Sequence, residues 1–161
     1  MDEENKVTVI DDKAREEAAD KLCKWATARA GVIVVVPGLG TVAMIANQIY
    51  MIVKLGKVYE QKITESTAVS LLSSMGLYYA GKALLTLIPF PLIQLPLAMG
   101  TTYGLGKAVT AWLKAGKPKD LSKFKDIYTQ AVEEVKKNVD KFKNNPHKDE
   151  PLGDETKKFT E

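Results

Sequence analysis

The sequence predicts an all-α fold: two apolar helical hairpins with Pro-containing tips, flanked by amphipathic N- and C-terminal helices. Three observations carry that expectation. Charge is segregated, with 14 charged side chains in residues 1–29, 7 in residues 30–113 and 22 in residues 114–161. The two charged ends repeat apolar residues at steps of three and four, the period of a half-buried helix. The oily middle is cut by Pro37-Gly38-Leu39-Gly40 and Pro89-Phe90-Pro91, clusters that a helix interior tolerates poorly.

Residues 1–9 are expected to be a flexible N-terminus. From residue 10 to 29, Ile10, Ala14, Ala18, Leu22 and Trp25 form one stripe, and Asp11, Asp12, Glu16 and Glu17 fill the first turns, where a helix N-terminus favours negative charge. The helical hairpin domain is expected to cover residues 10–116, with its apolar core over 30–113. Its first unit runs through Val32–Val36, breaks at Pro37, and returns over Thr41–Val53 to close on Leu55-Gly56-Lys57. Thr64, Ser66 and Thr67 are candidate caps for the next apolar segment, Ala68–Ile88. A second return begins at Leu92, passes Trp112, and carries Leu105-Gly106-Lys107 at a spacing similar to the first unit's. Residues 117–143 read as a C-terminal amphipathic helix with Leu121, Phe124, Tyr128, Ala131, Val135, Val139 and Phe142 on one face. Residues 144–161 lack periodicity and are expected to be a disordered tail.

Composition excludes several classes of function. Cys23 is the only cysteine and His147 the only histidine, so an internal disulfide, a histidine-based metal site and a catalytic triad all lack their parts. A net charge of +3 is too mild for a dedicated nucleic-acid binder. Val32–Val36 followed by Gly38-Leu39-Gly40-Thr41-Val42-Ala43, with Glu60 beyond, imitates a dinucleotide fingerprint, but no strand–helix alternation follows to build its sheet. Leu105-Gly106-Lys107-Ala108 is no phosphate loop, because Thr101 and Ala108 stand where glycine and a hydroxyl residue are needed. No catalytic residue, cofactor or metal is expected.

The tips are the informative feature. A tip that faces water normally carries Asn, Asp or Ser, whereas Pro37, Gly38, Leu39 and Gly40, and Pro89, Phe90 and Pro91, are apolar. Residues 68–88 and 92–113 have the length to cross a hydrocarbon core of ~30 Å, which takes about 20 residues. Residues 30–36 and 41–53 do not, so the first unit either crosses once with a kink at Pro37 or dips and returns. Lys54, Lys57 and Lys62, together with Lys107, Lys114, Lys117 and Lys119, suit the cytoplasmic side. Gly100 and Gly104 have the small-residue spacing that admits another helix, as do Gly76 and Ala80, and the expected contact is between these two helices or between copies of the chain. Lys82 and Lys107 are isolated charges expected at an interface or in a wet groove. Trp25, Tyr50, Tyr59, Tyr78, Tyr79, Tyr103 and Trp112 are placed either in an interfacial belt or in the core.

Residues 26–113 resemble the YcjF-like bacterial domains, helical membrane-associated regions often found beside or fused to Era-like GTPase domains. The residues that carry the resemblance are Pro37-Gly38-Leu39-Gly40-Thr41, the run Gln48–Gly56, Ile88-Pro89 and above all Thr101-Thr102-Tyr103-Gly104-Leu105-Gly106-Lys107-Ala108. Phe90-Pro91 stands where the family has a Gly-rich second turn. The resemblance implies an all-helical membrane-associated region without established chemistry and, for some relatives, a P-loop GTPase partner. The leading expectation is a non-enzymatic helical protein that anchors or self-assembles on membrane lipid at the cytoplasmic face, with a GTPase or a second copy as further partner. The alternative is a soluble all-helical interaction or oligomerisation module with no membrane contact.

Overall fold

The computed structural model describes residues 3–35, 40–80, 91–150 and 152. Among the described residues the fold is all-helical: α1 (Glu3–Val35), α2 (Gly40–Val58), α3 (Glu65–Ala80), α4 (Pro91–Lys114), α5 (Lys125–Lys137) and α6 (Val139–Lys143), with a short 3-10 turn at Ser122–Phe124.

α1 takes in most of the stretch expected to be flexible and continues through Val32–Val35 without a break. The strand that a dinucleotide fold would need there is therefore helix. α2 ends in a Schellman-type closure, with the Glu60 N–H donating to the Lys57 carbonyl at 3.0 Å and the Gln61 N–H to the Gly56 carbonyl at 2.8 Å. Glu60 occupies the left-handed position, φ 55°, where glycine is usual. Thr64 caps α3 through its hydroxyl oxygen, which accepts from the Thr67 N–H at 3.2 Å. At the far end of α4, Gly116 takes φ 84°, and the Lys117 N–H reaches back to the Trp112 carbonyl at 2.9 Å.

α4 is the centre of the assembly and runs antiparallel to α1. Gly31 lies against Leu95 and Met99, Gly106 against Cys23, and Lys107 beside Asp20. α2 crosses both. Asn47 Nδ2 donates to the Ala26 carbonyl at 2.9 Å, Gln48 Nε2 to Thr102 Oγ1 at 3.2 Å, and Gly106 abuts Met51. These buried amide groups fix the register of three helices because each would be costly unpaired. α5 covers the other side of α4 and buries Tyr128, Ala131, Val132 and Val135, while Phe124 and Phe142 close its two ends. Asn138 interrupts that helix at φ −133°, ψ 38°, and the bend brings Phe142 to 4.8 Å, ring to ring, from Tyr103.

Among the described residues no helix is long and apolar enough to cross a membrane. This corrects the spanning length expected over 92–113; the one expected over 68–88 lies partly outside the described residues. Lengths were counted there from the absence of charge, but Gln94, Pro96, Gly100, Thr101, Thr102, Tyr103, Gly104 and Gly106 dilute α4 with weakly apolar residues. The apolar stripe of α5 is consumed inside the fold, whereas α1 buries a face turned from the expected stripe, Ala19, Leu22, Cys23 and Ala26, and leaves Ala14 and Ala18 exposed.

Candidate functional site

The expected site residues separate into three groups. Pro37, Gly38, Leu39, Lys82, Pro89 and Phe90 lie outside the described residues; Gly40 and Pro91 open α2 and α4. Gly76 and Ala80 fall in the last turns of α3. Gly100 and Gly104 do make a close helix approach, but the helix they receive is α5. A Cβ on Gly100 would stand 3.2 Å from Val132 Cγ1, and one on Gly104 would stand 2.8 Å from the Tyr128 ring. Lys107 is an internal tie. It stands 3.4 Å from Asp20 Oδ1 and 5.7 Å from the centre of the Tyr103 ring.

Asp20 gathers that tie into a cluster. Its carboxylate is 2.7 Å from Lys24 Nζ and accepts from the Tyr103 hydroxyl at 3.1 Å. Burial pushes the Asp20 carboxyl up, yet the Lys24 hydrogen bond, the two lysine charges and the Tyr103 hydroxyl outweigh it and hold the group below the usual carboxylate range. Burial, reinforced by the Asp20 charge, drives the Tyr103 hydroxyl well above its ordinary value. The cluster joins α1 to α4 and offers no free base.

Beside it opens a groove of about 880 Å³ between the middle of α1, the end of α2 and the turn at 145–150. Ala18, Leu22, Trp25 and Val58 make an apolar floor, and Lys21, Lys24, Lys54 and Lys57 rise around it. The spacing explains the floor: residues 18, 22 and 25 share one face of α1 by the i, i+4, i+7 rule. Lys54 Nζ sits 5.0 Å from the centre of the Trp25 ring, a cation–π distance. Partial burial and the neighbouring Lys57 charge push the Lys54 ammonium below its ordinary value. Lys24 is committed to Asp20, whereas Lys21, Lys54 and Lys57 have no ion-pair partner among the described residues. The carboxylate in the lining, Glu150, is taken by His147 at 2.9 Å.

The fourth wall corrects another expectation. Residues 144–150 and Leu152, read as the start of a disordered tail, fold back on α1. Trp25 Nε1 donates to the Glu150 carbonyl at 2.9 Å, the His147 ring lies 6.0 Å from that of Trp25, and Leu152 is buried. The groove is the feature that residue-by-residue reading missed. Lys54 and Lys57 stand out in the sequence as flanks of an apolar segment, Lys21 and Lys24 do not, and bringing Lys54 onto Trp25 needs the α1–α2 crossing.

Comparison of the chain with protein-family models, curated proteins and solved structures found no match. The resemblance to YcjF-like domains therefore rests on the sequence motifs alone.

Proposed function

We propose that this chain is a non-enzymatic, membrane-associated helical protein whose uncharged end enters one leaflet at the cytoplasmic face. The observation that carries the reading is the polarity of the bundle along its axis. Gly31 against Leu95 and Met99, and Gln48 against Thr102, bring the end of α1 and the starts of α2 and α4 to the same end. No charged residue occurs in 30–53 or in 83–106, whereas Lys54, Lys57, Lys107 and Lys114 stand toward the opposite end. Val35, 53% exposed, and Ile45, 38% exposed, show large apolar side chains at that uncharged end. At ~1.5 Å per residue, the uncharged parts of α2 and α4 measure about 21 Å and 24 Å. That exceeds one leaflet of about 15 Å and falls short of the full ~30 Å core. Arg29 falls within that depth, half-buried and facing the charge of Asp149.

Partial insertion accommodates the lack of a spanning helix among the described residues and accounts for apolar residues where a soluble bundle places polar ones. The test is flotation of the purified full chain with phosphatidylcholine vesicles, alongside a carbonate wash of cell membranes. Co-flotation with vesicles supports the reading. A chain that stays at the bottom of the gradient and leaves the membranes in the wash overturns it, and a self-associated species in light scattering would then assign the uncharged end to a second copy.

A further inference from the structure

We propose that the groove between α1, α2 and the 145–150 turn binds an anionic phospholipid, with Lys21, Lys54 and Lys57 receiving the headgroup phosphate and Trp25 and Leu22 receiving the start of an acyl chain. The inference rests on the membrane reading above and names the lipid class. Two independent observations carry it.

The first is charge complementarity. Three lysines without an ion-pair partner among the described residues surround an apolar floor, and they outnumber the one carboxylate of the lining, Glu150, which stands 2.9 Å from the His147 ring. The Lys57 charge bears on Lys54, a repulsion that an anion between them relieves, and a phosphate oxygen accepts from ammonium groups at charge-assisted strength. The floor separates this site from an ordinary basic patch. A free inorganic anion has no use for Trp25, Leu22 and Val58, whereas an amphiphile covers both kinds of surface. The volume of about 880 Å³ lies within the range of small-molecule sites.

The second is depth. Trp25 is ten residues before Val35, so it stands about 15 Å from the uncharged end along α1. That is the thickness of one leaflet's hydrocarbon, so the indole stands at the boundary when the end is immersed, and Lys21 and Lys54, each about 21 Å from that end along its helix, stand about a turn further out among the headgroups. Tryptophan is the residue that favours this boundary, and each lysine near an anionic surface strengthens binding about fivefold.

The experiment compares the full chain with the double variant Lys54→Gln, Lys57→Gln on vesicles of phosphatidylcholine alone and of phosphatidylcholine mixed with phosphatidylglycerol. Both side chains stand at the rim, outside the core cluster, and circular dichroism checks that the variant folds. A second double variant, Lys136→Gln, Lys137→Gln, removes equal charge from α5. The expected result is that phosphatidylglycerol tightens wild-type binding, that the groove variant loses roughly 25-fold of that gain at two lysines, and that the α5 variant keeps most of it. Equal losses in the two variants mean a diffuse charge effect and overturn the proposal while leaving the membrane reading intact. Absence of any phosphatidylglycerol effect in the wild type does the same.

Titration with short-chain phosphatidylglycerol below its micelle concentration, read by tryptophan fluorescence, separates the sources of the anion. A shift with that lipid and none with inorganic phosphate or short-chain phosphatidylcholine supports the assignment, because Trp25 lines the groove while Trp112 is buried. Equal shifts with either lipid, or a shift with phosphate alone, overturn it. If vesicles fail to bind yet the short-chain anionic lipid shifts Trp25 in the wild type and not in the groove variant, the membrane reading fails and the lipid site stands.

Discussion

Replacing Gly104 with alanine tests whether α5 is a structural partner of α4. A Cβ at that position would lie 2.8 Å and 3.0 Å from two ring carbons of Tyr128 and 3.0 Å from the Tyr128 carbonyl oxygen. The ring is buried and the oxygen is backbone, so relief requires moving α5 as a unit. Helix propensity favours alanine by about 1 kcal/mol. Overpacking a filled site costs about 1–3 kcal/mol, and a contact with rigid backbone belongs at the upper part of that range. The expected balance is a loss of about 1–2 kcal/mol, or a Tm lower by roughly 2–8 °C for a chain of this size. Gly100→Ala is the internal control, since its nearest neighbours are Val132 Cγ1 at 3.2 Å and the Val132 carbonyl oxygen at 3.4 Å. A methyl there needs only a small adjustment of a side chain, and the propensity gain is expected to leave stability within about 0.5 kcal/mol of wild type. Urea denaturation followed by circular dichroism gives both numbers, and light scattering shows whether oligomeric state changes. If Gly104→Ala is as stable as the wild type while an oligomer dissociates, the glycine face joins copies of the chain and the α4–α5 packing argued above is wrong.

Three further outcomes follow from local geometry. Glu60→Gly relieves a left-handed residue at the end of α2 and is expected to stabilise the fold by about 0.5–1 kcal/mol in urea melts, because the exposed Arg15–Glu60 ion pair that it removes is worth little; a destabilised variant would show that the pair matters more than the backbone. Leu152→Ala is expected to cost about 2 kcal/mol and to red-shift Trp25 emission, whereas an unchanged melt would mean that the 144–152 segment contributes nothing to the fold. Burial pushes the Cys23 thiol up to about 12 and the Tyr128 hydroxyl up to about 12, so both titrate higher in the folded than in the unfolded chain. Their contribution is complete below the unfolded values and is lost as pH rises, from about 9 toward 12 for Cys23 and from about 10 toward 12 for Tyr128, at about 1.4 kcal/mol per unit for each group within its own interval. Urea midpoints measured against pH should fall more steeply in wild type than in Cys23→Ala, and parallel curves would refute a buried thiol.

Helix existence was legible because charge segregation and apolar spacing act locally. The stripe Leu121, Phe124, Tyr128, Ala131, Val135, Val139 and Phe142 could be read from sequence because successive members lie three or four residues apart; five of them are buried, and Leu121 and Val139 pack half-buried against the core. The partner of that stripe could not be read. Gly100 and Gly104 signal that some helix comes close, but the identity of the helix depends on how the chain returns after Gly116. The 144–152 segment was misread for a related reason. It has no periodicity because one indole-to-carbonyl hydrogen bond and one buried leucine hold it, and neither leaves a repeat in the sequence. The groove belongs to the same class, since its lysines come from two helices and its wall from a third segment far along the chain.

The central position of α4 imposes an order on synthesis. Tyr128, which covers Gly104, lies 24 residues downstream of it. At about 5–20 residues per second, α4 waits roughly 1–5 s on the ribosome after its own translation before α5 is made. During that interval α1 and α2 are already available to one of its sides, while its glycine face is bare. A nascent chain with that face uncovered is a target for any helix with a matching ridge, including the same helix in a neighbouring copy on the same messenger RNA. Rapid delivery of the α5 segment is therefore a requirement that the finished fold no longer displays.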